Sequence, residues 1–177
     1  MQGKDNVYET DLFFPLMTQI KNLSTKYDLK SARIVADHTR AATFLIIDGI
    51  TPSNTDRGYI LRRLLRRAVR HADLLGLPAG SLAEFNSIAD TTRKEIKKEE
   101  DRFRETLVKG LKEFEKGTDP FILFTTYGFP LELTRELAAE KGVKIDEKKF
   151  GQDMKSHQDL SRAGAEQKFK GGLADNS

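Results

Sequence analysis

The sequence contains no cysteine and no tryptophan. Without cysteine the chain can form neither a disulfide nor a thiolate metal site. It also has no apolar run near the roughly 18 to 20 residues that a membrane span requires, since the longest one, residues 41–47, stops at Asp48. The N-terminal residues lack the apolar centre of a secretory signal. These absences predict a cytoplasmic protein without a membrane partner.

Helical spacing of the apolar residues predicts an all-α fold, mainly a helical bundle, with at most a very short β element near residues 121–129 or 143–145. The 177 residues suit one well-cored domain. We expect this helical domain at residues 1–168 and a linker at residues 169–177. The predicted helices cover residues 8–23, 30–48, 54–75, 81–116, 130–141 and 146–167.

Single residues determine several details of these helices. Pro15 either begins a shorter first helix or kinks a longer one. Residues 41–47 are apolar almost all round, so we expect the second helix to be the most buried. Ser53 and Asp56 match a Ser-x-x-Asp capping pattern at the start of the third helix. The stretch 81–116 is one long helix or two stacked ones, and its charged residues 93–116 are interpreted as a solvated surface. Its apolar stripe comprises Leu82, Phe85, Ile88, Thr92, Ile96, Phe103, Leu107, Leu111 and Phe114.

Acidic residues are absent between Arg57 and His71, although this stretch holds six arginines. At about 100° per residue, the third helix has an apolar half and a cationic half. The apolar half anchors the helix on a core. A polyanion relieves the repulsion among the arginines, and its binding releases counterions. The apolar half comprises Leu61, Leu64, Leu65, Ala68, Ala72 and Leu75; the cationic half, the arginine face, comprises Arg62, Arg63, Arg66, Arg67, Arg70 and His71.

Two interpretations of the arginine face remain open. It binds the phosphates of a nucleic acid, or its arginines form ion pairs with acidic residues of a neighbouring helix. A membrane-surface helix fits less well, because the apolar half lacks the Trp and Phe of interfacial anchors. Three histidines, His38, His71 and His157, are too scattered to suggest a zinc site, and His38 is predicted to make a hydrogen bond instead.

Three stretches carry a family resemblance. They are residues 8–13 (YETDLF), residues 36–41 (ADHTRA) with 52–54 (PSN) and 57–71 (RGYILRRLLRRAVRH), and residues 126–134 (TYGFPLELT). Together they resemble the alanyl-tRNA synthetases, and the resemblance covers nearly the whole chain. Residues 169–174 (FKGGLA) are also similar to the linker that precedes the family's editing domain.

The resemblance implies one part of a larger enzyme. In this family a class II catalytic core is followed by a helical tRNA-recognition domain, an editing domain and a C-terminal module, and this chain looks like the recognition domain. By implication it is not an enzyme by itself and has no catalytic residue, metal site or cofactor. ATP and Mg²⁺ would belong to the catalytic core, and zinc to the editing domain. The implied partners are the acceptor stem of alanine tRNA and the catalytic and editing domains of the same synthetase.

Asn54 matches the asparagine that the family uses to read a G·U wobble pair. The shallow minor groove of A-form RNA exposes the guanine 2-amino group of such a pair, which an amide can recognise. The competing interpretation is structural, because an asparagine beside Ser53 at a helix start can simply cap or turn. Contacts to the phosphates, which position the stem, are predicted from the cationic pattern of the third helix for Arg57, Arg62, Arg63, Arg66, Arg67 and Arg70.

Thr125 stands where the family has a second base-reading residue, an aspartate. A hydroxyl lacks the charge of a carboxylate, so recognition is either weaker or has shifted to another group such as Glu132 or Asp119. The segment before it, residues 116–120, is also shorter than the family's usual loop. A different class of function stays open: a protein-interaction or structural bundle whose arginine-rich helix is internally salt-bridged. Steep weakening of RNA binding by salt would distinguish the two.

Overall fold

The described part of the chain is helical throughout its regular structure. The computed structural model describes residues 3–85 and 89–172, with side chains up to residue 161. Within these ranges there are eight α-helices and one 3₁₀ turn, and no strand. The predicted all-α fold is therefore confirmed.

The helices form two compact units, Met1–Lys109 and Gly110–Ser177. The boundary falls within one helix, α5. The division into one helical domain at residues 1–168 and a linker at residues 169–177 stays a prediction. The elements are a 3₁₀ turn Val7–Glu9, α1 Phe14–Leu23, α2 Leu29–Ile47, α3 Asp56–Leu74, α4 Ser81–Glu84, α5 Asp90–Glu115, α6 Pro120–Tyr127, α7 Leu131–Glu140 and α8 Glu147–Gly172.

In the first unit, α3 packs chiefly on α2. Local signals begin and end both helices. Asp28 caps α2 by accepting a hydrogen bond from the Ser31 amide at 2.8 Å, and Gly49 and Gly76 follow α2 and α3 with φ angles of +83° and +66°. The apolar core of this unit includes Ile20, Val35, Leu61, Leu65, Leu75, Leu82, Ile96 and Phe103.

The structure decides two predictions about the first two helices. Pro15 lies in the first turn of α1, so the shorter of the two predicted helices is the one that forms. The prediction that α2 is the most buried helix is wrong, because α2 and α3 each bury seven of their 19 residues, and Phe44 and Ile47 of α2 are 47% and 48% exposed. The buried residues of α2 instead form one stripe at helical spacing, from Ser31 to Thr43.

The predicted capping pattern at the start of α3 does not form. Thr55 is the N-cap residue, and no side chain caps the helix. The Ser53 hydroxyl is used locally, since its Oγ donates to the Thr55 carbonyl at 2.8 Å and accepts from the Thr55 amide at 3.3 Å. Asp56 adopts a φ of +50°, and Thr55 is extended, so the residues after Ser53 lack the right-handed helical turn that the capping pattern requires.

The stretch 81–116 contains two helices, α4 and α5. Its apolar stripe is largely confirmed: Leu82, Thr92, Ile96, Phe103 and Leu107 are buried, whereas Ile88 lies outside the described residues. The expected solvated surface between 93 and 116 is wrong at two positions. Glu99 and Glu100 are 2% and 1% exposed, because residues three and four positions after Ile96 lie on the same side of the helix.

The second unit corrects the suggestion of a β element. Residues 120–127 form α6, because their capping outweighs the β propensity of the aromatic side chains. Asp119 accepts from the Phe121 amide at 2.8 Å, Pro120 occupies the first turn, and Gly128 ends the helix with a φ of +65°. Residues 143–145 form no strand either. The core of this unit includes Leu123, Phe129, Leu133 and Leu137.

Candidate nucleic-acid interface

The two halves predicted for α3 are present in the structure. Its buried residues include Leu61, Leu65, Ala68 and Ala72, and none of its arginines is buried. Leu64 is half-buried, and His71 is buried although the sequence placed it on the arginine face. The Nδ1 of His71 lies 3.1 Å from the Ser31 hydroxyl of α2. His71 therefore belongs to the packing between α2 and α3.

Two arginines of α3 converge on one buried carboxylate. The Nε of Arg66 donates to the Glu99 carboxylate at 2.8 Å, and the Nε of Arg62 lies 3.5 Å from the same oxygen. The Arg66 guanidinium also stacks 5.1 Å from the centre of the Phe103 ring. Burial lowers the pKa of Arg66 below its ordinary value, although the charge of Glu99 opposes the shift. The salt-bridged interpretation thus holds for Arg62 and Arg66.

Arg67 makes a contact of a different kind. Its Nη1 donates to the Nε2 of His38 at 2.9 Å, and the Nδ1 of His38 lies 3.0 Å from the Asp37 carboxylate. A guanidinium can only donate, so this geometry requires a neutral His38 with its proton on Nδ1. The pKa of His38 is lowered by burial and by the charge of Arg67, against the hydrogen bond with Asp37. The predicted hydrogen-bonding role of His38 is confirmed.

Exposure to solvent separates Arg57 from the other arginines of α3. Arg57, in the first turn of α3, is exposed, and Arg63 and Arg70 are half-buried. The structure therefore sorts the predicted phosphate-binding residues by the contacts that restrain them. Arg62 and Arg66 are tied to Glu99, Arg67 is tied to His38, and Arg57 is the most exposed.

Asn54 is exposed in the loop before α3 and does not cap the helix. Its Oδ1 accepts a hydrogen bond from the Nη1 of Arg62, and the Nη2 of Arg62 donates to the Pro52 carbonyl at 3.2 Å. One guanidinium therefore holds both the loop backbone and the Asn54 side chain.

Gly58 explains how this loop lies so close to α3. The Ser53 amide donates to the Gly58 carbonyl at 3.1 Å. A Cβ at Gly58 would come within 2.5 Å of the Thr51 carbonyl oxygen, a backbone atom that cannot simply rotate away. Glycine at this position permits the close approach that places Asn54 beside the arginine face.

Thr125 lies in the second unit, exposed on α6. Its hydroxyl donates to the Phe121 carbonyl at 2.9 Å, so the oxygen keeps only its role as an acceptor for another group. Asp119 is occupied as the N-cap of α6 and by an ion pair with Lys149, whose hydrogen bond lowers the pKa of Asp119. Glu132 is half-buried in the first turn of α7.

The sequence analysis did not identify Glu99 and its neighbour Glu100 as buried partners of arginines. Glu100 accepts from the Gly80 amide and from the Nε of Arg104, both at 2.9 Å. A signal for both acids existed, since the apolar stripe of α5 passes from Ile96 to Phe103 and only residues 99 and 100 fill the gap at helical spacing.

The described residues offer neither a membrane span nor a cluster of metal-binding side chains. No helix there is both long enough and apolar enough to cross a membrane. Nor do three or more histidine, aspartate or glutamate side chains come together in that part of the chain in a way that could hold a metal ion.

The comparison with known proteins identifies the family. A family model described as tRNA synthetases class II (A) matches residues 1–175. The chain belongs to this class II tRNA synthetase family.

Three similar proteins of the family are alanine–tRNA ligases. The protein of Borreliella afzelii (strain PKo) is 40% identical, with 99% of this chain and 35% of the relative aligned. The protein of Treponema pallidum (strain Nichols) is 41% identical, with 100% and 35% aligned. That of Microcystis aeruginosa (strain NIES-843 / IAM M-2473) is 39% identical, with 94% and 23% aligned.

This chain therefore spans about a third of the length of the first two relatives. The alignment with the Borreliella protein extends over 209 positions, more than the 177 residues of this chain. That relative therefore contains additional residues within the matched region.

Proposed function

We propose that this chain is the tRNA-binding part of an alanine–tRNA ligase and recognises the acceptor stem of alanine tRNA through its G·U wobble pair. Asn54 reads the base pair, and the exposed side of the arginine face positions the phosphates. The chain does not activate alanine by itself. ATP, Mg²⁺ and zinc are used by other parts of the ligase, and the whole enzyme works in the cytoplasm.

The observation that carries this proposal is the placement of Asn54. An exposed asparagine that merely capped a helix would direct its oxygen to backbone amides of the first turn. Asn54 instead lies outside the helix, with its oxygen held by Arg62 at the edge of a cationic surface. A polar group that can recognise a base edge thus lies next to groups that can bind the adjoining phosphates.

The phosphate-binding role falls unequally on the six arginines. Arg62 and Arg66 share the charge of Glu99, so their attraction for an anion is partly neutralised within the protein. Arg57, the most exposed of the six, is assigned a principal phosphate contact. Such contacts position the RNA without reading its sequence.

A second candidate function rests on the pairing with Glu99. Buried ion pairs of this kind are common in helical bundles that have no nucleic-acid partner. In that alternative, the chain is a structural or protein-interaction module and its arginine face is an internal network. It predicts no RNA binding.

The test is a titration of the chain against two alanine-tRNA acceptor minihelices, one with the G·U pair and one with G·C, each at two salt concentrations. We expect salt-sensitive binding with a preference for G·U. The variant Asn54→Ala should lower this preference by roughly 1–3 kcal/mol while leaving binding to the G·C stem nearly unchanged. Equal loss on both stems would contradict base reading by Asn54, and absence of binding to either stem would favour the structural alternative.

A further inference from the structure

Among the described residues, only Arg62 forms a hydrogen bond with the side chain of Asn54. Its Oδ1 accepts from the Nη1 of Arg62, which lies two helical turns further along α3. Loops of this kind are otherwise mobile on the surface. The orientation of the Asn54 amide in the free protein therefore depends on where the Arg62 guanidinium lies.

Arg62 is itself held from two sides. Its Nη2 donates to the Pro52 carbonyl at 3.2 Å, and its Nε lies 3.5 Å from the buried Glu99 carboxylate. The contact with Glu99 is an ion pair without a well-formed hydrogen bond, because the Arg62 Nε makes none in the described structure. A fixed negative charge on α5 and a backbone carbonyl of the loop thus restrain one guanidinium between them.

The chemistry of the guanidinium determines which end of the Asn54 amide faces Arg62 and which end is directed away from it. Arginine has five N–H donors and no acceptor, so it can hold only the oxygen of Asn54. The amide nitrogen must then lie on the side away from Arg62. A carbonyl oxygen has two acceptor positions, so one remains for a base amino group such as the guanine 2-amino group of a wobble pair.

We propose that Arg62 is a positioning residue for wobble-pair recognition: anchored by Glu99, it orients the amide of Asn54 toward the base edge. This inference rests on the proposed function. It moves Arg62 from the phosphate-binding residues, where the sequence pattern placed it, to those that determine specificity. Glu99 supports the same role from within the protein, although it does not reach the surface.

A double-mutant cycle on the 177-residue chain tests the proposal. The G·U and G·C minihelices are titrated against wild type, Arg62→Ala, Asn54→Ala and the double variant. We expect Arg62→Ala to lower the ratio of the two affinities by on the order of tenfold, the effect of one discriminating base contact. In the Asn54→Ala background, Arg62→Ala should lower the ratio no further, because Arg62 acts through Asn54.

Arg62→Lys and Arg63→Ala are the matched controls. Lysine keeps the charge but offers a single point of contact, so Arg62→Lys should lose most of the preference while keeping the salt dependence. Arg63→Ala should weaken binding to both stems equally and keep the preference. The proposal is overturned if Arg62→Ala instead weakens both stems equally and reduces the salt dependence, or if its effect on the ratio adds to that of Asn54→Ala.

A measurement without RNA separates this proposal from the proposed function. The side-chain amide signals of Asn54 in a ¹⁵N-labelled chain are assigned by their loss in Asn54→Ala. They should shift in Arg62→Ala and Arg62→Lys, and stay in place in Arg63→Ala. Unchanged signals in the Arg62 variants would overturn the positioning role even if the wild type prefers G·U. A wild type without G·U preference would overturn the proposed function, whatever the signals do.

Discussion

Arg67 donates a hydrogen bond from its Nη1 to the Nε2 of His38 across 2.9 Å and so joins α3 to α2. The contact needs a neutral imidazole, because both partners would otherwise be donors. Burial is the main cause of the lowered pKa of His38. Charge on this histidine is therefore coupled to the packing of α2 against α3, the helix that carries the arginine face.

Stability should fall in mild acid because of His38. The unfolded chain takes up a proton on His38 as the pH drops below its ordinary pKa of 6.5, whereas the folded chain resists this. The stability that neutral His38 contributes to the folded protein is thus fully present above pH 6.5. It is lost as the pH falls from there toward the pKa of His38 in the folded state. Urea unfolding at about pH 7.5 and about pH 5.5 measures it: wild type should lose more stability than His38→Gln. The variant His157→Gln, at an exposed position, should behave as wild type, and equal losses in all three proteins would contradict the coupling.

Glu99→Gln should destabilise the first unit strongly. The substitution removes the charge that Arg62 and Arg66 share. Breaking a buried pair by removing one partner costs about 3–5 kcal/mol, and we expect about 3 kcal/mol because the arginines keep some contact with water. Thermal or urea unfolding measures the change. The control is Glu105→Gln at an exposed position on the same helix, which should change stability by less than about 0.5 kcal/mol.

Gly58→Ala should damage specificity more than folding. The new methyl group would meet the Thr51 carbonyl and the Ser53 side chain, so the loop that carries Asn54 must move away from α3. We expect the G·U preference in minihelix binding to fall, with the melting temperature reduced by only a few degrees, about 1 kcal/mol. A variant that keeps the full preference would show that the loop position does not control recognition.

Two glycine-to-alanine substitutions in helices should change the free energy of unfolding in opposite directions. At Gly110 in α5, a Cβ would come within 2.8 Å of the Phe129 Cζ and closer still to another atom of the same buried ring. The overpacking should exceed the gain in helix propensity and destabilise by about 1–2 kcal/mol. At Gly151 in α8 a Cβ meets nothing within 4 Å, so alanine should stabilise by about 0.5–1 kcal/mol. Urea unfolding of both variants checks the signs, and destabilisation by both would contradict the packing argument.

Arg63→Ala and Arg67→Ala should weaken binding to all RNA stems alike. Each lost phosphate contact is expected to lower the slope of log affinity against log salt by about 1. Lys94→Ala, at an exposed position on α5, removes the same charge away from α3 and serves as the control. An unchanged slope in the arginine variants would show that these side chains do not contact phosphate.

The helices were largely predictable because their signals are local. Periodicity and the glycines after α2, α3 and α7 placed most boundaries within a few residues of those observed. The prediction was undecided at residues 121–129, where β-prone aromatic residues compete with an Asp-Pro start and a glycine stop. Capping decided this segment in favour of a helix. The exposure of Phe44 was not predictable either, because apolar character alone does not say which side of a helix receives a neighbour.

The sequence by itself determined that α3 has an apolar and a cationic half, because both follow from residue spacing along a single helix. It also marked Asn54 through its likeness to a known motif. Only the tertiary structure decided which carboxylate Arg62 and Arg66 contact. Glu99 lies 33 residues from Arg66 along the chain, and its charge orders Arg62 and Arg66 because burial removes the water that would screen it. The part that Arg62 and Arg66 play in holding the protein together arises from this long-range burial, which no local pattern encodes.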